Sequence, residues 1–62
     1  MIAELTSWLM STGCKWDLWR SADGTVCVML FTGDDILNGV GPNMETALAT
    51  VRAKYERLEK AA

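Results

Sequence analysis

The sequence predicts a small α+β domain of element order α-β-β-β-α: a three-stranded antiparallel meander with a short N-terminal helix and a long C-terminal helix packed on the sheet. Three observations predict this class. Apolar residues recur with helical spacing at both ends of the chain, β-branched and aromatic runs fill its middle, and turn residues separate those runs. A chain of 62 residues has room for one domain, so residues 1–62 are assigned to it.

The first helix is predicted over residues 2–11. Its apolar side chains fall on one stripe, and Gly13 follows as a helix stop. A helix this short is not stable by itself in water, so we expect it to dock on the rest of the domain. The stripe consists of Ile2, Leu5, Trp8 and Leu9.

Three strands are predicted in the middle of the chain. The first two are joined by a turn at residues 21–24, whose Asp23-Gly24 pair supplies the positive φ angles of a tight hairpin. Gly39 interrupts the third strand, which is therefore expected at an edge of the sheet. The predicted strands are residues 14–20, 25–32 and 36–40.

The second helix is predicted to begin after Asn43, a favourable N-cap residue, with Glu45 in the first turn, where negative charge is stabilising. Its apolar residues are spaced alternately four and three apart, as in a single buried stripe. We therefore expect this helix to cover the core face of the sheet. The stripe consists of Met44, Leu48, Val51, Tyr55, Leu58 and Ala62.

The register of the first hairpin decides which strand residues face the core. A two-residue loop and a four-residue loop assign the same side chains to each face, because facing residues of a strand pair point to the same side. The predicted core face carries Cys14, Trp16, Leu18, Thr25, Cys27, Met29 and Phe31. The predicted second face carries Lys15, Asp17, Trp19, Val26, Val28 and Leu30.

The second face is more apolar than a face in contact with water should be, because the middle strand is apolar on both sides. We expect the first helix to cover it, giving a three-layer helix–sheet–helix sandwich. Alternatively, both helices share the core face and a second molecule covers this one. Either arrangement leaves apolar surface for a partner, with Trp19 as its anchor. The predicted protein-contact residues are Trp19, Val26, Val28, Leu30 and Asp17.

The composition excludes several kinds of chemistry. The chain has no histidine and only two cysteines, which rules out Ser–His and Cys–His pairs and the common zinc-ligand sets. No catalytic, metal or cofactor-binding residue is therefore predicted, and the protein is expected to be non-enzymatic. Cys14 and Cys27 are expected to be buried reduced thiols, because neither register brings them opposite each other. Half the residues are hydrophobic, and no secretory signal or membrane span is recognised, so a folded cytoplasmic protein is expected.

The succession of segments resembles the small ABA-sandwich domains of phage and prophage proteins. The segments that carry this resemblance are the strand CKWDLWR, the turn SADG, the strand TVCVMLF, the segment NGVGPN and the helix METALATVRAKYERLEKA. The resemblance implies a phage or prophage origin, a location in the bacterial host and a non-enzymatic role. It supplies no catalytic residues.

Two functions are predicted as alternatives. The first is a small protein-binding, host-modulating protein that acts through an apolar sheet face, as an inhibitor or as a self-associating homodimer. The second is a nucleic-acid-binding module, because double-stranded-RNA-binding domains share this element order. That family needs lysines at the start of its last helix, where this chain has Met44, Glu45 and Thr46. The basic residues lie instead at the far end of the helix and are Arg52, Lys54, Arg57 and Lys60.

Overall fold

A computed structural model describes the backbone of residues 2–61 and the side chains of residues 2–60. It contains two helices and one antiparallel sheet with the strand order β1-β2-β3, which confirms the predicted α+β class and element order. Neither helix has the length and apolar content to cross a membrane. The elements are α1 (Ile2–Ser11), β1 (Lys15–Arg20), β2 (Val26–Phe31), β3 (Ile36–Gly41) and α2 (Met44–Ala61).

The loop between β1 and β2 has three residues, 22–24, and this odd number sets the register. The Ser21 amide donates to the Thr25 carbonyl at 2.8 Å, and the Gly24 amide donates to the Ser21 carbonyl at 3.0 Å. Gly24 has a φ of +92°, as in a three-residue hairpin whose last loop residue is left-handed. The predicted two- and four-residue registers are therefore both wrong.

The three-residue loop exchanges the two predicted faces of β2 relative to β1. Leu18 now pairs with Val28, and Trp16 pairs with Leu30. Because directly paired residues point to the same side, these apolar residues share one face of the sheet. The other face takes the side chains predicted for the core, which are Cys27, Met29 and Phe31.

Both helices lie on the sheet face that carries Val28. The predicted three-layer sandwich is therefore wrong, and the protein has two layers. The alternative in which both helices share one face is the arrangement observed. That face combines Trp16 and Leu18 of the predicted core face with the β2 residues of the predicted second face. The buried core consists of Leu5, Leu9, Val26, Val28, Leu30, Ala47, Leu48 and Val51.

Glycines on β3 allow α2 to approach this strand closely. A Cβ atom at Gly39 would overlap the backbone carbonyl oxygen of Ala47 and lie 2.9 Å from Cβ of Val51. A Cβ atom at Gly41 would lie 2.7 Å from Cβ of Thr46. Gly39 therefore gives α2 room to pack against β3. This strand lies at an edge of the sheet, as the glycine in its sequence had predicted.

The helix ends follow the predicted signals. Asn43 caps α2, since its side-chain oxygen accepts a hydrogen bond from the Thr46 amide at 2.8 Å. Gly13 follows α1 with a φ of +69°. Of the predicted α2 stripe, Leu48 and Val51 are fully buried, Tyr55 and Leu58 are half-buried, Met44 is exposed, and Ala62 lies outside the described residues.

Aromatic contacts fasten α1 to α2. The rings of Trp8 and Tyr55 meet edge to face, with their centroids 5.8 Å apart and their planes at 75°. The guanidinium of Arg52 lies 5.7 Å from the centroid of the Trp8 ring. Together with the burial of Leu5 and Leu9, these contacts supply the docking that a ten-residue helix needs.

Candidate protein-contact surface

The sheet face that points away from both helices is the candidate site, and we call it the open face. Its nine side chains alternate along the three strands with those that face the helices. Within residues 2–61, both helices pack on the opposite side of the sheet, so the open face is not covered by them. The open face consists of Lys15, Asp17, Trp19, Cys27, Met29, Phe31, Ile36, Asn38 and Val40.

The strand register arranges the open face in three rows across the sheet. Two rows are mainly apolar, and the middle row has a polar residue at each end. The apolar line along β2 is thus bordered by polar groups on both outer strands. The rows are Trp19–Cys27–Val40, Asp17–Met29–Asn38 and Lys15–Phe31–Ile36.

Six of these nine side chains are apolar, and three of the six are strongly exposed. Trp19 is 45 % exposed, Val40 53 % and Ile36 61 %. The apolar residues of β2 are half-buried between their neighbours. Three strands about 4.8 Å apart and six residues of about 3.3 Å rise make a patch of roughly 14 Å by 20 Å. The polar residues Lys15, Asp17 and Asn38 lie within this footprint, and the largest apolar patch of a monomer, typically a few hundred Å², is often functional.

The structure separates the predicted contact residues into two groups. Trp19 and Asp17 lie on the open face. Val26, Val28 and Leu30 lie beneath the helices and are 2 %, 1 % and 0 % exposed, so a partner cannot reach them while the protein is folded. Their assignment to the outer surface is wrong because the hairpin loop has an odd number of residues.

Sequence reasoning missed five of the six apolar residues of the open face. The signal that could have found them is the turn sequence, since a glycine that ends a three-residue loop suits a left-handed position. Asp23 strengthens this signal, because its carboxylate accepts a hydrogen bond from the Thr25 amide at 3.0 Å. The missed residues are Cys27, Met29, Phe31, Ile36 and Val40.

The four basic residues near the C-terminal end of α2 do not all lie on one side of the helix. Arg52 lies over Trp8, and its Nε is 4.0 Å from a carboxylate oxygen of Glu56. Lys54 points to the sheet, where its Nζ donates to the carbonyl oxygen of Asn38 at 2.7 Å. These two residues are roughly 200° apart around the helix. Arg57 and Lys60 are exposed on the same helix.

The two cysteines are free and half-buried on opposite sides of the sheet. Cys14 packs against the core, and its thiol lies 3.7 Å from the carbonyl oxygen of Thr12. Cys27 lies on the open face between Trp19 and Val40. In the part of the chain that the structure describes, no three acidic or cysteine side chains are grouped as metal ligands would be.

Among the described residues, Asp23 and Tyr55 have shifted pKa values, and neither lies on the open face. The Thr25 amide, which donates to the Asp23 carboxylate, lowers the pKa of that residue. The negative charge of Glu59 raises the pKa of Tyr55. These shifts belong to a turn and to a helix surface, so they indicate no acid–base pair on the candidate site.

A concave surface lies between α1 and α2. It is a wide groove with an apolar wall formed by Leu5, Ala49 and Ala53, and its borders carry charges of both signs, including Glu4 and Arg57. Its shape is open to solvent rather than enclosed, unlike the pockets that hold small ligands. The open face of the sheet is the more distinctive surface.

Comparison with known proteins gives no match to a family model, to a curated protein or to a solved structure. The resemblance to phage sandwich domains stays a prediction from the sequence pattern. The function of the chain must therefore be inferred from its own surface chemistry.

Proposed function

We propose that this protein is a non-enzymatic protein-binding module that docks its partner on the open face. One observation carries the proposal. The sheet has six apolar side chains on a face that both helices leave uncovered, and three of them are about half exposed or more. A sheet face in contact with water normally carries mostly polar residues. An apolar sheet face is therefore best explained by a binding partner that removes this face from water.

The arrangement of the open face suits a protein partner. Apolar side chains form its centre along β2, while Lys15, Asp17 and Asn38 lie on the two outer strands. Protein interfaces likewise combine an apolar centre with polar groups, and the outer strands here carry three polar residues beside the apolar Trp19, Ile36 and Val40. Trp19 is the natural anchor, because tryptophan combines a large contact area with a low entropic cost of ordering. The partner surface should therefore be flat, apolar at its centre and able to form hydrogen bonds at its border.

No contact of the described residues favours nucleic-acid binding. Two of the four predicted basic contact residues, Arg52 and Lys54, are already engaged within the chain on different sides of α2. The formal net charge of −2 also lacks the basic excess on which phosphate binding depends. The phage origin and a host-inhibitory role stay predictions from the sequence resemblance.

Photocrosslinking in cells tests the proposal with two matched positions. A photoreactive phenylalanine derivative replaces Ile36 on the open face or Met10 on α1, which are 61 % and 59 % exposed. We expect discrete protein adducts from position 36 and none from position 10. An absence of adducts at position 36, or the same adducts at both positions, would contradict the proposal.

Truncation of the two tryptophans of β1 provides the matching affinity test. Trp19→Ala should reduce adduct formation at position 36, and a hot-spot residue typically accounts for a loss of about 30-fold in affinity. Trp16→Ala is the control, because Trp16 is 37 % exposed on the helix side of the same strand. Equal effects of the two truncations would assign the adducts to general destabilisation instead.

A further inference from the structure

We infer that the open face binds a second copy of this chain, through a two-fold axis that lies between the two sheets and runs parallel to β2. The inference rests on the proposed function, because it names the occupant of the same surface. A second copy offers a patch of equal size and equal apolar content. Contact of one patch with its own copy is also the geometry of a two-fold dimer.

The polar residues of the open face favour this axis. Rotation about β2 brings β1 of one copy over β3 of the other, so Asp17 lies opposite Asn38 of the second copy, and the pair occurs twice. The amide N–H groups of asparagine donate to a carboxylate, so each border gains a hydrogen-bonding pair. The same rotation puts Trp19 over Val40 of the second copy.

The remaining charge of the open face fits the same arrangement. Lys15 lies opposite Ile36 of the second copy, where its aliphatic stem can pack while its ammonium group reaches water. Within the nine residues of the face, rotation about β2 therefore puts no like charges opposite each other.

The other axis in the plane of the interface, perpendicular to the strands, fits less well. When all three rows of the patch are covered, it would place each strand over its own copy in the reverse direction, so Asp17 would meet Asp17 of the second copy. A shift of this axis by one row avoids that contact but leaves one row of each patch uncovered. Two carboxylates facing each other at an interface repel and raise the cost of association. The axis along β2 is therefore favoured, because it covers all three rows without placing two carboxylates opposite each other.

The sheet edges are less suited to self-association than the face. On β3, Lys54 occupies the outward carbonyl of Asn38, which an added strand would need as a hydrogen-bond acceptor. The edge strand β1 carries the charged residues Lys15, Asp17 and Arg20, and charges on an edge strand oppose pairing with another chain. Contact through the face is therefore the favoured mode of self-association.

The size of the patch sets the expected strength of the dimer. A footprint of roughly 300 Å² per copy, from the strand spacing and rise, is well below the ~800 Å² per partner of a standard interface. The dimer should therefore be weak, with dissociation between the micromolar and the millimolar range. Two twisted sheets in such contact should align with an angle of about 30° between their strands.

Two substitutions of Asn38 that introduce opposite charges test the direction of the two-fold axis. Asn38→Lys puts an ammonium group opposite Asp17 of the second copy twice, and should tighten the dimer roughly three- to tenfold at low salt. Asn38→Asp puts a carboxylate there and should weaken the dimer by a similar factor. The measurement is sedimentation equilibrium of the purified chain up to millimolar concentration. Urea unfolding of dilute samples verifies that each variant is folded.

The opposite directions of these two effects are diagnostic. With the perpendicular axis, Asn38 would face its own copy, so both substitutions would weaken the dimer. Weakening by both variants would therefore overturn the inference, as would a wild-type chain that is strictly monomeric at millimolar concentration. A monomeric chain that still forms Ile36 adducts with other proteins in cells would leave the proposed function intact, so the two failures are distinguishable.

A thiol crosslink provides a second, independent measurement. The axis along β2 puts Cys27 opposite Cys27 of the second copy, across two sheets about 10 Å apart. A short bismaleimide should therefore link these two residues and leave Cys14, on the helix side of the sheet, unlinked. A dimer linked through Cys14 instead of Cys27 would overturn the inferred geometry.

Discussion

The side chain of Asp23 helps to fix the loop that determines which side chains of β2 face the helices. Its carboxylate accepts a hydrogen bond from the Thr25 amide, and this bond lowers its pKa. An acid whose pKa is lower in the folded state stabilises the fold above its ordinary value near pH 4. This contribution is lost as the pH falls through the lowered pKa of the folded state.

The pH dependence of stability tests this role of Asp23. We expect Asp23→Asn, which keeps an acceptor but cannot titrate, to lose less stability than the wild type below about pH 4. The effect should be small because Asp23 is exposed. Urea unfolding of both proteins from neutral to acidic pH measures it, and a difference that stays constant over that range would contradict the prediction.

At the level of elements, the contact between α2 and β3 depends on two positions without side chains. Gly39→Ala should destabilise the protein by about 3 kcal/mol, because its Cβ atom would overlap backbone that cannot rotate away. Gly41→Ala should cost less, since its Cβ atom would lie 2.7 Å from Thr46 and 3.0 Å from the Ala47 backbone nitrogen, a smaller overlap than at Gly39. Urea unfolding of the two variants compares them, and a larger loss for Gly41→Ala would show that α2 is seated differently.

The separate elements were predictable, because each depends on neighbouring residues. The Asn43 cap, the Gly13 stop and the apolar spacing of α2 are local signals. The first two agree with the structure, and the third agrees for Leu48 and Val51, which are buried, but not for Met44, which is exposed. The relation between β1 and β2 depends instead on the number of residues in one loop. Since side chains alternate with a period of two, a change of one loop residue moves a whole strand face from core to surface.

For the molecule as a whole, the sequence predicted that β2 is apolar on both sides but not which side the helices cover. The two faces of this strand have nearly equal apolar content, with Val26, Val28 and Leu30 on one side and Cys27, Met29 and Phe31 on the other. The position of α1 was equally open, because its docking depends on contacts such as that between Trp8 and Tyr55. No single segment of the sequence therefore shows which face of the sheet the two helices cover.

Neighbouring residues of β2 provide the test of the two-layer arrangement. Val28→Lys should unfold the protein or lower its free energy of unfolding by more than about 4 kcal/mol. The position is 1 % exposed, so the substitution would bury an ammonium group that has no partner. Met29→Lys should cost less than about 1 kcal/mol, since its ammonium group can extend from the open face into water. Circular dichroism and urea unfolding of dilute samples measure both. The register predicted from even loop lengths gives the reverse order, so an unfolded Met29→Lys beside a folded Val28→Lys would restore that register and remove the open face.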